Sequence, residues 1–257
     1  MDLGLNIDHI ATLREARQIA KPDPLEAVFI ATNAGANQIT IHLREDRRHI
    51  NEFDVKRIIE NSPLPVNVEC ACNEEVIEIL CKLKPFKITL VPEKREEITT
   101  EGGLEITKRV GEVIKEFKKH KIKVATFIDS NEKSVSLSKD FNADGVELHT
   151  GEFANLYDYL YSNFRFYKAP NEFKKLDSSA LESRLESSLD SLKYGAKLAK
   201  NLNLGVYAGH GLNYQNVKKI IEIKEFSELN IGHSIIARAV IVGLNSAIKE
   251  MKQMLKG

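Results

Sequence analysis

Residues 38–50 read Q-I-T-I-H-L-R-E-D-R-R-H-I. From Gln38 to Leu43, Ile39 and Ile41 alternate with Gln38, Thr40 and His42, the period-two pattern of a strand. The strand gives way to a burst of charge, Arg44, Glu45, Asp46, Arg47, Arg48 and His49. Arg and His at a strand end are suited to holding phosphate. Taken alone, the stretch also fits a strand followed by a solvated charged turn. The rest of the chain decides, because the design recurs.

Leu3–Asp8 reads as a first strand followed by His9 and a polar turn. Asp23-Pro24 starts a helix, with proline at the first helical position, and Gly35 stops it. After the strand at Gln38–Leu43, Asn51 caps a helix carrying Phe53, Val55, Ile58 and Ile59. Pro65–Glu69 is strand three, and Asn73 caps a helix that ends before Pro85. Phe86–Val91 is strand four. A polar loop, 99–103, precedes a long helix over Leu104–Lys121. Ile122–Ile128, Gly145–His149, Leu204–Ala208 and Glu228–Ile231 are strands five to eight. Helices are expected over Glu132–Phe141, Tyr214–Lys224 and, at the end, Ser234–Leu255. Eight strands alternating with helices at about 30-residue spacing predict a closed parallel (β/α)8 TIM barrel as one domain over 1–257. Extra helices are expected between strands six and seven, at about 153–200. There six of the chain's eighteen aromatic residues fall between Tyr157 and Tyr167. Leu181, Leu185, Leu189, Leu192, Ala196 and Ala199 then mark an amphipathic helix.

Composition excludes several classes. With 37 basic and 37 acidic residues in 257, the chain lacks the positive footprint of a nucleic-acid binder. No apolar run is long enough to span a membrane, and M-D-L-G-L-N-I-D-H-I lacks the basic-then-apolar pattern of a secretory signal. Cys70, Cys72 and Cys81 are odd in number and clustered, which fits a reducing cytoplasm.

In such a barrel the active site lies at the C-terminal ends of the strands. Strand one brings Asn6, Asp8 and His9 there, strand two His42 and Arg44, strand three Glu69 and strand four Glu93. Strand five brings Asp129, strand six Glu147 and His149, strand seven His210 and strand eight His233. Five of the seven histidines fall at or just after strand ends and His49 lies in the adjoining loop; His120 sits near the opposite rim. Glu69 ends an otherwise apolar strand, so desolvation is expected to raise its pKa and suit it to acid/base work beside His42 and His210. Gly209-His210-Gly211 and Gly232-His233-Ser234 place glycine where backbone N–H groups approach an anion, at the strands where this fold binds phosphate. Arg17, Arg44 and His49 offer a second anion site. Neither H-E-x-x-H nor C-x-x-C is present, so no metal is expected. Lys87 stands at the wrong end of its strand for a Schiff base.

The motifs N-I-D-H-I-A-T-L-R (6–14), H-L-R-E-D-R-R-H-I (42–50), L-V-P-E-K-R-E-E-I-T-T-E-G-G-L (90–104), E-L-H-T-G (147–151), A-G-H-G-L (208–212) and E-L-N-I-G-H (228–233) resemble those of the pyridoxine 5′-phosphate synthase family. The resemblance implies condensation of 3-amino-2-oxopropyl phosphate with 1-deoxy-D-xylulose 5-phosphate, without a cofactor, in a cytoplasmic homo-octamer. It implies Glu69 and His42 as general bases, His210 as general acid and Glu147 as a transition-state stabiliser. Asn6, Arg17, Gly211, Gly232 and His233 would hold the amino-ketone phosphate. Asp8, His9, Arg44, His49 and Thr99 would hold the pentulose phosphate, under a loop at 99–103. Two departures stand out: the excursion is longer and more aromatic than the family pattern, and Tyr207 replaces an expected asparagine. Other sugar-phosphate barrels, an epimerase or an aldolase, or a non-catalytic phosphate sensor, are the competing readings.

Overall fold

The computed structural model describes residues 1–93, 102–167 and 170–256. Eight parallel strands close into a barrel in chain order: β1 (Asp2–Asn6), β2 (Gln38–His42), β3 (Val66–Cys70), β4 (Lys87–Leu90), β5 (Lys123–Ile128), β6 (Gly145–His149), β7 (Gly205–Gly209) and β8 (Glu228–Ile231). Closure is direct, since β1 pairs with β2 on one side and with β8 on the other, Leu5 opposite both Ile39 and Ile231. An open doubly wound sheet is thereby excluded.

Period-two alternation divides each strand between two environments. Leu3, Leu5, Ile39, Ile41, Val66, Val68, Ile88 and Leu90 belong to one continuous apolar core, each at most 4% exposed. The intervening residues meet across the barrel interior. Thr40 Oγ1 donates to Asn230 Oδ1 (3.0 Å), Gln38 Nε2 to Glu228 Oε1 (3.0 Å), and Asn230 Nδ2 to Glu147 Oε2 (2.8 Å). Lys87 Nζ donates to Glu228 Oε1 (2.8 Å) at the N-terminal end and lies 4.0 Å from the centroid of the Tyr207 ring. Tyr207 thus caps a buried cation below the mouth. Burial, with the nearby charges of Glu228, Asp144 and Glu147, pushes its hydroxyl pKa up to about 12. Lys87 stands, as expected, away from the catalytic rim.

Local chemistry sets most helix starts. Asp23 caps Pro24–Ala34, which Gly35 ends at φ 92°. Asn51 and Asp54 form a reciprocal capping box on Glu52–Asn61, and Asn73 caps Glu74–Leu83. Four elements differ from expectation. β1 stops at Asn6, whose side-chain oxygen accepts the Asp8 N–H (3.0 Å), and helix α1 (Asp8–Glu15) replaces the polar turn. The helix expected from Leu104 begins at Lys108, capped by Thr107. The one over Tyr214–Lys224 is a single turn, Val217–Ile220. The closing helix is two, His233–Val242 and Leu244–Met254, because Gly243 takes φ 82° between them. Between β6 and β7 run helix Gly151–Tyr161, two 3-10 turns and the 24-residue helix Ser178–Asn201. Phe173, Leu156 and Leu181 form a small core of their own there. Among the described residues no helix is long and apolar enough to cross a membrane.

Candidate active site

The mouth of the barrel is built from the inward residues at the strand ends. Asn6 begins it: its amide donates to Asp8 Oδ2 (2.8 Å), and the other oxygen of Asp8 accepts the backbone N–H of His42 (2.9 Å). Asp8 is 6% exposed, so a buried carboxylate ties β1 to the residue that ends β2.

His42 stands between two carboxylates. Its Nδ1 is 4.0 Å from Glu69 Oε2 and its Nε2 is 3.0 Å from Glu93 Oε1. The N–H of Glu45 donates to the other Glu93 oxygen (3.0 Å). Burial pushes the Glu93 carboxyl up, but hydrogen bonds from His42 and Glu45, with the charges of His42 and Arg44, hold it below the ordinary range. An ionised Glu93 therefore fixes the His42 ring and favours a proton on Nε2, with Nδ1 on the side of Glu69. The sequence places Glu93 at the end of strand four but assigns it no role. Its signal is the carboxylate of L-V-P-E-K-R, facing H-L-R across the mouth.

His49 packs 6.2 Å from His42, ring to ring, and its Nδ1 accepts the Ile50 N–H (2.8 Å). Its carbonyl accepts from Arg14, whose guanidinium also makes two 2.8 Å bonds to Asp54. No local pattern announces this pair, since 40 residues separate its members. Arg44 is 6% exposed. On the other side His9 packs edge-on to His233 at 5.0 Å. A Cβ on Gly232 would sit 2.8 Å from Asn6 Cβ, so glycine permits that approach.

β6 and β7 bring the remaining acid/base residues. Glu147 is 2% exposed, and a Cβ on Gly209 would fall 2.2 Å from its Oε1. Burial pushes Glu147 up to about 7, opposed by the charge of Lys87 and the amide of Asn230 and reinforced by Glu228. His210 follows Gly209 at φ 83°, a conformation L side chains rarely adopt. Thr150 helps to hold it, its hydroxyl reaching the carbonyls of Gly209 (2.7 Å) and His210 (2.6 Å). Gly211 continues at φ 78°. Strain held in place by surrounding bonds is common at functional sites.

The strand-end residues named from sequence therefore converge: Asn6, His42, Glu69 and Glu147 lie in strands, Arg44, His49, His210, Gly211 and Gly232 in the loops just beyond strands, and Asp8, His9 and His233 in the first turns of the helices that follow. Arg17 does not join them; it is exposed in the turn after α1. Thr99 lies outside the described residues. The cysteines are free, and burial raises the thiol pKa of each, which suits inert packing better than nucleophilic chemistry. A cavity of about 500 Å³ opens elsewhere, on the flank lined by Gln18, Ile19, Phe53 and Arg57, away from the converging histidines.

Fold and site together define a (β/α)8 barrel with histidines and carboxylates gathered at its mouth beside glycine turns. Residues 3–257 match the family described as pyridoxal phosphate biosynthesis protein PdxJ, and the chain belongs to that family. It is 54% identical to pyridoxine 5′-phosphate synthase of Wolinella succinogenes, covering 99% of this chain and 98% of that protein. It is 56% identical to the Helicobacter hepaticus protein of the same name, covering 98% and 97%. Among solved structures, 3-hexulose-6-phosphate synthase aligns at TM-score 0.59 and 12% identity, covering 99% of each chain. Phosphoribosylanthranilate isomerase of Thermotoga maritima aligns at 0.57 and 12%, covering 100% of this chain and 99% of that one. Those two likenesses bear on the fold alone.

Proposed function

We propose that this chain condenses 3-amino-2-oxopropyl phosphate with 1-deoxy-D-xylulose 5-phosphate to give pyridoxine 5′-phosphate, phosphate and water. The observation that carries this reading is His42 held between Glu69 and Glu93 in a chain more than half identical, end to end, to pyridoxine 5′-phosphate synthases. Imine formation, dehydration, phosphate loss and ring closure are chiefly proton transfers, and the imine nitrogen comes from a substrate. No catalytic lysine, metal or organic cofactor is needed.

In this reading Glu69 and His42 act as general bases, and His210 protonates leaving oxygen. Glu147, with a pKa near 7, offers either a hydrogen-bond donor or an acceptor to developing charge. Asn6, Gly211, Gly232 and His233 hold the amino-ketone phosphate; Asp8, His9, Arg44, His49 and Thr99 hold the pentulose phosphate. Arg17, exposed in the turn after α1, stands apart from both sets. A cytoplasmic homo-octamer of one-domain barrels completes the proposal. Exposed Leu13, Ile19, Phe29, Phe53, Val240 and Ile241 are suited to subunit contacts.

The test mixes purified, chelator-treated protein with both substrates and follows pyridoxine 5′-phosphate fluorescence beside phosphate release. Product and phosphate in equal amounts are expected. Intact substrates in the presence of folded protein overturn the reading.

A further inference from the structure

His149 and Asp129 stand in the same mouth without a part in the reaction just described. His149 ends β6 with its side chain 7% exposed, and its Nδ1 lies 3.5 Å from Asp129 Oδ1. The ring packs edge-on against both Phe127 (5.0 Å between centroids) and His210 (5.2 Å), which are 6.2 Å from each other. Asp129 is itself anchored: the Gly103 N–H donates to Oδ1 (2.9 Å). A Cβ on Gly103 would come within 2.3 Å of the Asp129 nitrogen, so glycine brings that donor in. Facing carboxylate and packed rings together fix the imidazole's orientation. In a neutral imidazole so placed, the tautomer with its proton on Nδ1 is favoured, which leaves the lone pair on Nε2.

That Nε2 is buried and, among the described residues, has no hydrogen-bond partner. Native structures rarely leave a buried polar atom unsatisfied, and such an atom in an active site calls for a functional explanation. The same ring lies 5.2 Å from that of His210, which stands just after β7 in the mouth.

We infer that His149 Nε2 is a substrate-contacting position, accepting a hydrogen bond from a hydroxyl or N–H of a phosphorylated ketose or amino ketone bound in the mouth, with Asp129 holding the ring. This rests on reading the mouth as the site of the two phosphorylated substrates. The ionised state of Asp129 agrees with it: the His149 hydrogen bond holds the carboxyl low against burial, helped by the Gly103 N–H. A contact of this kind discriminates sharply, because a substrate lacking the donor would leave the acceptor buried and empty.

The experiment uses nitrogen-15 histidine NMR on the full chain, with Glu69→Gln to slow turnover and His149→Gln to assign the resonance. Expected is an unprotonated Nε2 in the free protein. Its signal should move on addition of one of the two substrates and not on addition of inorganic phosphate. His149→Phe, which keeps a ring against Phe127 and His210, should weaken binding of that substrate about tenfold or more. His149→Gln, which retains an acceptor, should restore part of the affinity. A protonated Nε2 in the free protein, an unmoved resonance under saturating substrate, or unchanged affinity in His149→Phe each overturns the inference. Failure of the proposed reaction is recognised separately: no pyridoxine 5′-phosphate from wild type while the His149 signal still responds to substrate. If neither substrate binds, both fail.

Discussion

Glu147 shows what the closed barrel does to one carboxyl group. It accepts from Asn230 and feels Lys87, yet burial outweighs both and pushes its pKa from 4.5 to about 7. A folded-state pKa above the unfolded value means that the folded protein holds the proton more tightly. Its contribution to stability is therefore complete below about pH 4.5 and lost as pH rises through about 7, on the order of 3 kcal/mol in all. Thermal melting of wild type should decline more steeply from pH 5 to pH 8 than that of Glu147→Gln. Parallel profiles would contradict the assignment. Sequence shows Glu147 in G-V-E-L-H as plainly as Glu69 in V-N-V-E-C, each a carboxylate in an otherwise apolar strand. What separates the two is depth: Glu147 is closed over by Gly209 and Asn230, whereas the Glu69 side chain is 17% exposed. Depth in a barrel depends on stagger between strands, which no single strand records.

At the scale of elements, the strands were legible because alternation and punctuation agree. Gly145–His149 and Glu228–Ile231 fall where the pattern puts them. Helix α1 was not, because Asn6 and Asp8 bond each other's side chain and backbone to make the bend, and a polar pair in a strand-like context reads as strand. The consequence is functional, since α1 carries Arg14 to Asp54 and the His49 carbonyl. Asp54 is 2% exposed and also closes the capping box of its helix. Arg14→Met should leave that carboxylate buried without its cation, costing about 3–5 kcal/mol in chemical denaturation. It should also weaken binding of whichever phosphate His49 contacts. Loss of less than about 1 kcal/mol, a surface-pair value, would show that Asp54 finds another partner.

Across the whole molecule, one polar chain runs through the barrel from Lys87 and Glu228 through Gln38 to Thr40, Asn230 and Glu147. The fold class was readable from eight repeats, but the pairing of residues as distant as Thr40 and Asn230 was not, because it follows from closure. Lys87→Met should destabilise by about 3–5 kcal/mol, since Glu228 is left buried beside Glu147. Lys87→Met with Glu228→Gln should recover most of the loss in a double-mutant cycle, and additive losses would contradict a coupled pair. The central claim is that the reaction is carried by the acid/base set around His42 at the open end of this barrel. The measurement that tests it most directly is the rate of pyridoxine 5′-phosphate formation by Glu69→Gln, read beside calorimetric binding of each substrate to the same protein. A rate lower by ~100-fold or more, with substrate affinity within a few-fold of wild type, is the predicted result for a general acid/base. A variant that turns over like wild type would contradict the account.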